Sequence, residues 1–176
     1  MSKVRVVDGR GAVGDVECAV THNLEIALRY LRYAANLHTI WVDSICIDHS
    51  NNKEKGLQIN LMGEIYRLAA RVIVWLGPEE NKSGRAIDML EDMGSQVDFH
   101  PGAFSITPSS QARDRRWGDM ALDLPYNEED LTCLYHLLCR AWFEGLWVRQ
   151  EILLANSTAI AVCGFRDVSW CGPDVT

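Results

Sequence analysis

A single carboxylate stands inside an apolar run late in the chain, Trp147–Ala155, WVRQEILLA. Helical spacing places Val148, Glu151, Ile152 and Ala155 on one side. Glu151 is then either a reactive acid held in a pocket or a surface charge at the border of a buried stripe, paired with a cation such as Arg149. Partial burial would raise its pKa. A second acid, Asp43, interrupts the apolar run TIWVDSICID, and a charge in a buried strand needs a partner. It either orients a ligand or a neighbouring loop, or is a structural acid bonded to backbone or to Arg32 or Arg71. Asp48 and His49 close that run, as ligand contacts or as a solvated turn. Trp41, Trp75 and Trp147 offer flat faces for stacking, or else pack in the core.

Other chemistries find less support. Six cysteines sit at 18, 46, 133, 139, 163 and 171. None forms a C-x-x-C pair and no His/Cys spacing matches structural zinc, so no metal site is expected. Cys46 and Cys163 lie in strand-like runs and read as small hydrophobes. GRGAVG has glycines but lacks the strand-then-helix context of a phosphate loop. The spacing of Ser, His and Asp residues gives no support to a triad.

The elements that must hold these residues fit one folded domain. Of 176 residues, 48% are hydrophobic and 23% charged, and the net charge of -7 argues against a nucleic-acid partner. The basic cluster Arg113–Arg116, RDRR, reads as a solvated loop. No apolar run approaches the roughly 20 residues that span a bilayer, and MSKVRVVDGRG has no signal-peptide core. An intracellular, reduced, cytoplasmic protein with no membrane partner is the expectation.

Along the chain, residues 4–20 suggest a hairpin or a frayed strand. Leu24, Ala27, Leu28 and Leu31 mark an amphipathic helix that Thr21 or Asn23 would cap. TIWVDSICID and VIVWLGP read as buried strands, the second stopped by Gly77-Pro78. Between them, Leu57, Leu61, Ile65 and Leu68 form the stripe of a second helix. A third helix turns Ile87 and Leu90 inward. Residues 95–126 read as one long loop, whose composition suits control of access or partners. A further helix is expected to face inward with Leu131, Leu134, Tyr135 and Leu138, and TAIAVCG is a last strand. Helices alternating with buried β-branched runs predict an α/β fold around a mainly parallel sheet, with ligands beyond the carboxyl ends of its strands: after Val42, Leu76 and Cys163.

Several blocks together resemble the fungal heterokaryon-incompatibility (HET) domain. They are NLEIALRYLR, IWVDSICIDHSNNKEKGLQINLMGEIYRLAARVIVWLG and WFEGLWVRQEILLA. The matching positions are Asn23-Leu24, Trp41–Asp48, Gln58, Met62, Ile65, Tyr66, Val72–Gly77 and Trp147–Glu151, over roughly residues 20–164. Asp48 stands where the family often has Asn, and Gly145 stands near its usual Arg. The family's opening strand, resembling Y-x-x-L-S-Y-x-W-G, has no counterpart. The expectation is a single HET-like domain over 1–176, truncated at its N-terminus. A sheet without that strand would expose an edge able to pair with another chain.

HET domains are similar to Toll/interleukin-receptor (TIR) domains, some of which cleave NAD with a glutamate in a W-x-x-x-E context. Trp147 and Glu151 have that spacing. The resemblance implies a TIR/flavodoxin-like sheet possessing or lacking its first strand, and Glu151 as catalytic carboxylate. It also implies NAD as substrate rather than cofactor, with Asp43 near a ribose hydroxyl, Asp48 as a further substrate contact, and Trp75 and Trp147 as stacking faces for nicotinamide or adenine. The implied biology is non-self recognition and programmed cell death. Two alternatives stay open: a non-catalytic module that assembles with itself or with other incompatibility or signalling proteins, and an inactive remnant.

Overall fold

The computed structural model describes residues 3–8, 11–17, 19–33, 36, 38–100, 102–119, 121–145 and 148–170, with backbone alone at 3–8, 11–17 and 148–150. The chain falls into two units, residues 1–62 and 63–176.

The first unit opens with the expected hairpin. Strands β1 (Lys3–Asp8) and β2 (Gly11–Glu17) pair antiparallel, with an irregularity between Val6 and Val7. Helix α1 (His22–Leu31) is capped by Thr21, whose hydroxyl accepts from the Leu24 amide at 3.3 Å. Ala27 is buried while Leu24, Leu28 and Leu31 are half-buried, so the predicted stripe is the inward one. An i,i+4 pair, Glu25–Arg29, lies on the outer side.

The strand expected over TIWVDSICID is instead broken by a helical turn, α2 (Asp43–Cys46). Val42 and Ile47 are extended on either side of it, but the Val42 carbonyl accepts from the amides of Ile45 and Cys46 at 3.0 and 2.8 Å. The Asp43-Ser44 pair supplies the reason. Asp43 Oδ1 accepts from the Ser44 amide at 2.6 Å, a local bond that competes with a strand ladder. Cys46, expected to be packed, is exposed. Helix α3 (Asn52–Leu68) is capped by Asn51, whose Oδ1 accepts from the Lys53 and Glu54 amides. Its predicted stripe is largely uncovered: Leu57, Leu61 and Leu68 are exposed and Ile65 half-buried.

The second unit carries the main core. Strand β3 (Ile73–Trp75) is followed by α4 (Ser83–Gln96), β4 (Val97–His100) and β5 (Ser105–Pro108). Then come α5 (Glu128–Leu138), α6 (Ala141–Glu144), α7 (Val148–Leu154), β6 (Ile160–Cys163) and β7 (Arg166–Ser169). The sheet order is β3-β6-β7, with β3 and β6 parallel and β6 and β7 antiparallel. Val74, Leu76, Ala161 and Cys163 on one sheet face meet Ala86 and Ile87 of α4 and Cys133 and Leu137 of α5. Full burial of a side chain such as Ile87 or Leu137 contributes about 1.5–3 kcal/mol. The fold is α/β; among the described residues one ladder is parallel and three are antiparallel.

Two sequence expectations change here. Helix α5 buries Asp130, Cys133 and Leu137 and leaves Leu131, Tyr135 and Leu138 exposed. Asp130 is drawn inward because it both completes the capping box with Asn127 and pairs with Arg85 of α4. Residues 95–126 are not one irregular loop. They hold the antiparallel β4–β5 hairpin, followed by turns around buried Trp117. Strands of four residues, one ending in Pro108, are too short to show a clear period. Strand β7 was not foreseen either. Gly164, at φ 60°, allows the two-residue turn that joins it to β6. No helix among the described residues is long and apolar enough to cross a membrane.

Candidate functional site

The two aspartates of the first unit bracket α2. Asp43 is exposed. Besides the Ser44 contact, its backbone carbonyl accepts from the Ile47 amide at 3.0 Å and lies 3.3 Å from His49 Nε2. Asp48 is exposed as well. Its Oδ1 accepts from the Ser50 amide at 2.9 Å and from the Ser50 hydroxyl at 2.6 Å. The Ser50 hydroxyl, then the Ser50 amide, hold its carboxyl below the usual carboxylate range. Its own amide donates to Glu54 Oε1, which ties the turn to the first turn of α3. This is the geometry of an Asx turn leading into a capped helix.

In the second unit the carboxyl ends of the parallel strands meet a cation from the chain itself. The Leu76 amide donates to Val162 O and the Gly164 amide to Gly77 O, so the two strand ends continue to bond past the ladder. Over them lies Arg140, the residue that starts α6. Its Nη1 donates to Leu76 O at 2.7 Å and to Pro78 O at 2.9 Å, and Nη2 lies 3.5 Å from Glu80 O. Gly77, at φ 107°, makes room: a methyl there would sit 2.8 Å from Arg140 Nη1. The place where a ligand is expected, after Leu76 and Cys163, is therefore packed with a guanidinium and four buried or half-buried residues, Leu76, Gly77, Pro78 and Gly164.

Sequence reasoning overlooked Arg140. The signal was present: one cation in the otherwise apolar stretch Leu137–Phe143 requires acceptors. Trp142 and Phe143 beside it pack on the core, and Trp142 meets Trp170 edge-on at 5.4 Å.

Glu151 lies in the first turn of α7 and is half-buried. The next residue, Ile152, packs against the main core, and Leu154 Cδ1 lies 3.5 Å from the position of a methyl on Gly63. Leu153 points outward, 79% exposed. The helix therefore turns Ile152 inward and leaves Glu151 at the margin of the buried face. Trp75, the last residue of β3, is half-buried in the same unit. Trp147 lies outside the described residues. Among the described residues no group of three or more His, Cys, Asp or Glu side chains could hold a metal ion.

Comparison with known sequences settles the lineage. The profile described as Heterokaryon incompatibility protein (HET) matches residues 6–151, most of the chain. The chain belongs to the HET family. All five sequence-selected residues fall within the matched segment, with Glu151 at its last position. The HET chain is 32% identical over 182 residues to Heterokaryon incompatibility protein 6, OR allele, of Neurospora crassa. That alignment covers 93% of this chain and 26% of the relative, so the chain spans about a quarter of the relative's length. No solved structure matches it.

Proposed function

We propose that this chain is a single HET domain acting in the cytoplasm in fungal non-self recognition and programmed cell death, and that it does so by cleaving NAD with Glu151 as the central carboxylate. Membership of the HET family supports the biological role. The observation that carries the chemistry is the placement of Glu151, half-buried beside Ile152, which packs on the core. In the reaction the nicotinamide–ribose bond breaks, its electron pair leaves with neutral nicotinamide, and water adds to the ribose. The products are ADP-ribose, nicotinamide and a proton. A fixed carboxylate stabilises the oxocarbenium-like ribose, as glycosidase carboxylates do. Trp75 and Trp147, which belong to the same unit as Glu151, complete the proposed substrate-binding set. The parallel β3–β6 ladder supports the TIR/flavodoxin-like sheet that this reading assumes.

The test is nicotinamide release from NAD by the purified protein and by Glu151→Gln. Release that falls about 100-fold or more in the variant supports the mechanism. Equal rates remove Glu151 from it.

A second reading, a non-catalytic module that assembles, is favoured by the exposed face Leu131, Tyr135 and Leu138 on α5. No nicotinamide release from folded protein, together with self-association by light scattering that Tyr135→Glu abolishes, would select it.

A further inference from the structure

The segment after the β4–β5 hairpin is tied at its two ends to one side chain. Asp92, on the last turns of α4, accepts at Oδ2 from Arg113 Nη2 at 2.6 Å and from the Tyr126 hydroxyl at 2.7 Å. Between them, three backbone bonds close within the segment, while Arg115 Nη1 reaches out to Ser109 O at 3.4 Å and Gly118 lies close to Ile106 of β5. The Trp117 amide donates to Asp114 O, Asp119 to Arg116 O, and Leu122 to Asp119 O. Arg116 pairs with Asp114. This is the build of an Ω-loop: both ends held at one side chain, and a loop residue, Trp117, buried with only 6% exposure.

The base beneath the neck is firmly set. The Ser109 amide donates to Gln96 O at 2.9 Å and its hydroxyl to Ser95 O at 2.6 Å, while the Arg113 amide donates to the Gln96 side chain at 2.8 Å. These bonds fix the approach to the loop but not its return. The return strand is held at Tyr126, through the same carboxylate oxygen that holds Arg113. The Tyr126 hydroxyl is raised well above its usual range by burial and by this bond, which keeps it a donor at every ordinary pH. The carboxylate that joins the two ends is itself reachable: its side chain is 33% exposed, and the Arg113 side chain 58%.

We propose that the described residues of 113–119 and 121–126 belong to a releasable loop with Asp92 as its neck. Closed, the loop hides the Trp117 indole. Open, it displays that indole beside Arg115 and Arg116, both of which are exposed already. A solvent-reachable neck and a buried aromatic inside the loop are the parts such a switch needs. The rest of the second unit, built on the sheet, α4 and α5, keeps its packing in both states.

Residue-resolved amide hydrogen exchange on the whole chain tests this, with Asp92→Ala and Tyr126→Phe. In Asp92→Ala, the Trp117, Asp119 and Leu122 amides should exchange about tenfold or more faster, while those of α5 and β6 stay unchanged. Tyr126→Phe, which removes one hydroxyl and keeps the ring, should speed the same three amides to a smaller degree. Equal acceleration across α4, α5 and the sheet would make Asp92 a general stabilising residue and overturn the proposal. So would unchanged loop exchange in both variants, which would mean that Trp117 packing alone holds the loop.

Discussion

Replacing Arg140 and Gly77, singly and together, tests whether the carboxyl end of the parallel strands is filled by design. Arg140 donates two short bonds, to Leu76 O and Pro78 O; the third contact, at 3.5 Å, is too long to count for much. A hydrogen bond from a charged donor contributes about 1.5–3 kcal/mol, and the half-buried Pro78 carbonyl could regain a water. Arg140→Ala should therefore destabilise the second unit by about 3 kcal/mol. Gly77→Ala forces φ 107° on a residue with a Cβ, which costs about 1–3 kcal/mol. Its methyl also meets Arg140 Nη1 at 2.8 Å and should push the guanidinium off its carbonyls, for about 1–2 kcal/mol more. The other atom within reach of that methyl is Arg140 Cζ, at 3.9 Å. Once Arg140 is alanine, only the backbone strain of the Gly77 change remains. The double variant should thus lose about 1–2 kcal/mol less than the sum of the singles. Urea unfolding followed by tryptophan fluorescence measures all three. Additivity within about 0.5 kcal/mol, or a loss under about 1 kcal/mol for Arg140→Ala, would refute the clamp.

The inward face of α5 is tested by Leu137→Ala, expected to cost about 2–5 kcal/mol, against Leu138→Ala, expected within about 1 kcal/mol, in the same unfolding assay. Asp130 carries a pH signature. Its bonds to Arg85 and to the Asn127 amide hold its folded pKa below the ordinary 3.8, so its contribution is present above that value and lost as pH falls through the folded pKa. Asp130→Asn should lower Tm at pH 7, and the difference from the unchanged chain should shrink as pH falls below 3.8 and through the folded pKa, as read by thermal melts across pH.

The elements with long, regular patterns were legible. The stripe of α1 and the inward Ile87 and Leu90 of α4 follow from period, and the VIVW and AIAVC strands from short continuous apolar runs. In two places where period failed, a polar side chain had taken over. Asp43 with Ser44 turned an apolar run into a helical turn, and Asp130 with Arg85 set which face of α5 lies inward. Leucine spacing cannot reveal either, because both depend on partners that spacing does not encode. The candidate site divides similarly. The half-buried position of Glu151 was readable from the neighbours of a lone acid in an apolar run. The Arg140 clamp was not, because its acceptors are backbone carbonyls more than sixty residues earlier in the chain, and sequence carries no mark of which carbonyls are left open.

That clamp narrows what the catalytic reading can require. In an open α/β sheet the ligand usually lies where strand ends leave space and where backbone groups face outward. At β3 and β6 the carbonyls of Leu76, Gly77 and Pro78 already have donors from within the chain, and Gly164 is buried. A nucleotide placed there would have to displace a guanidinium held by two short bonds. Glu151 lies on a different element, α7, which keeps Ile152 inward and leaves residue 151 half-buried at the margin of the packed face. The NAD-cleaving proposal therefore requires a pocket on the flank of α7 rather than at the end of β3. The assembly reading asks for less, since Leu131, Tyr135 and Leu138 already lie on the surface. What divides the two is whether α7 has a wall opposite Glu151 that can exclude water from a ribose, and nicotinamide release by Glu151→Gln reads that directly.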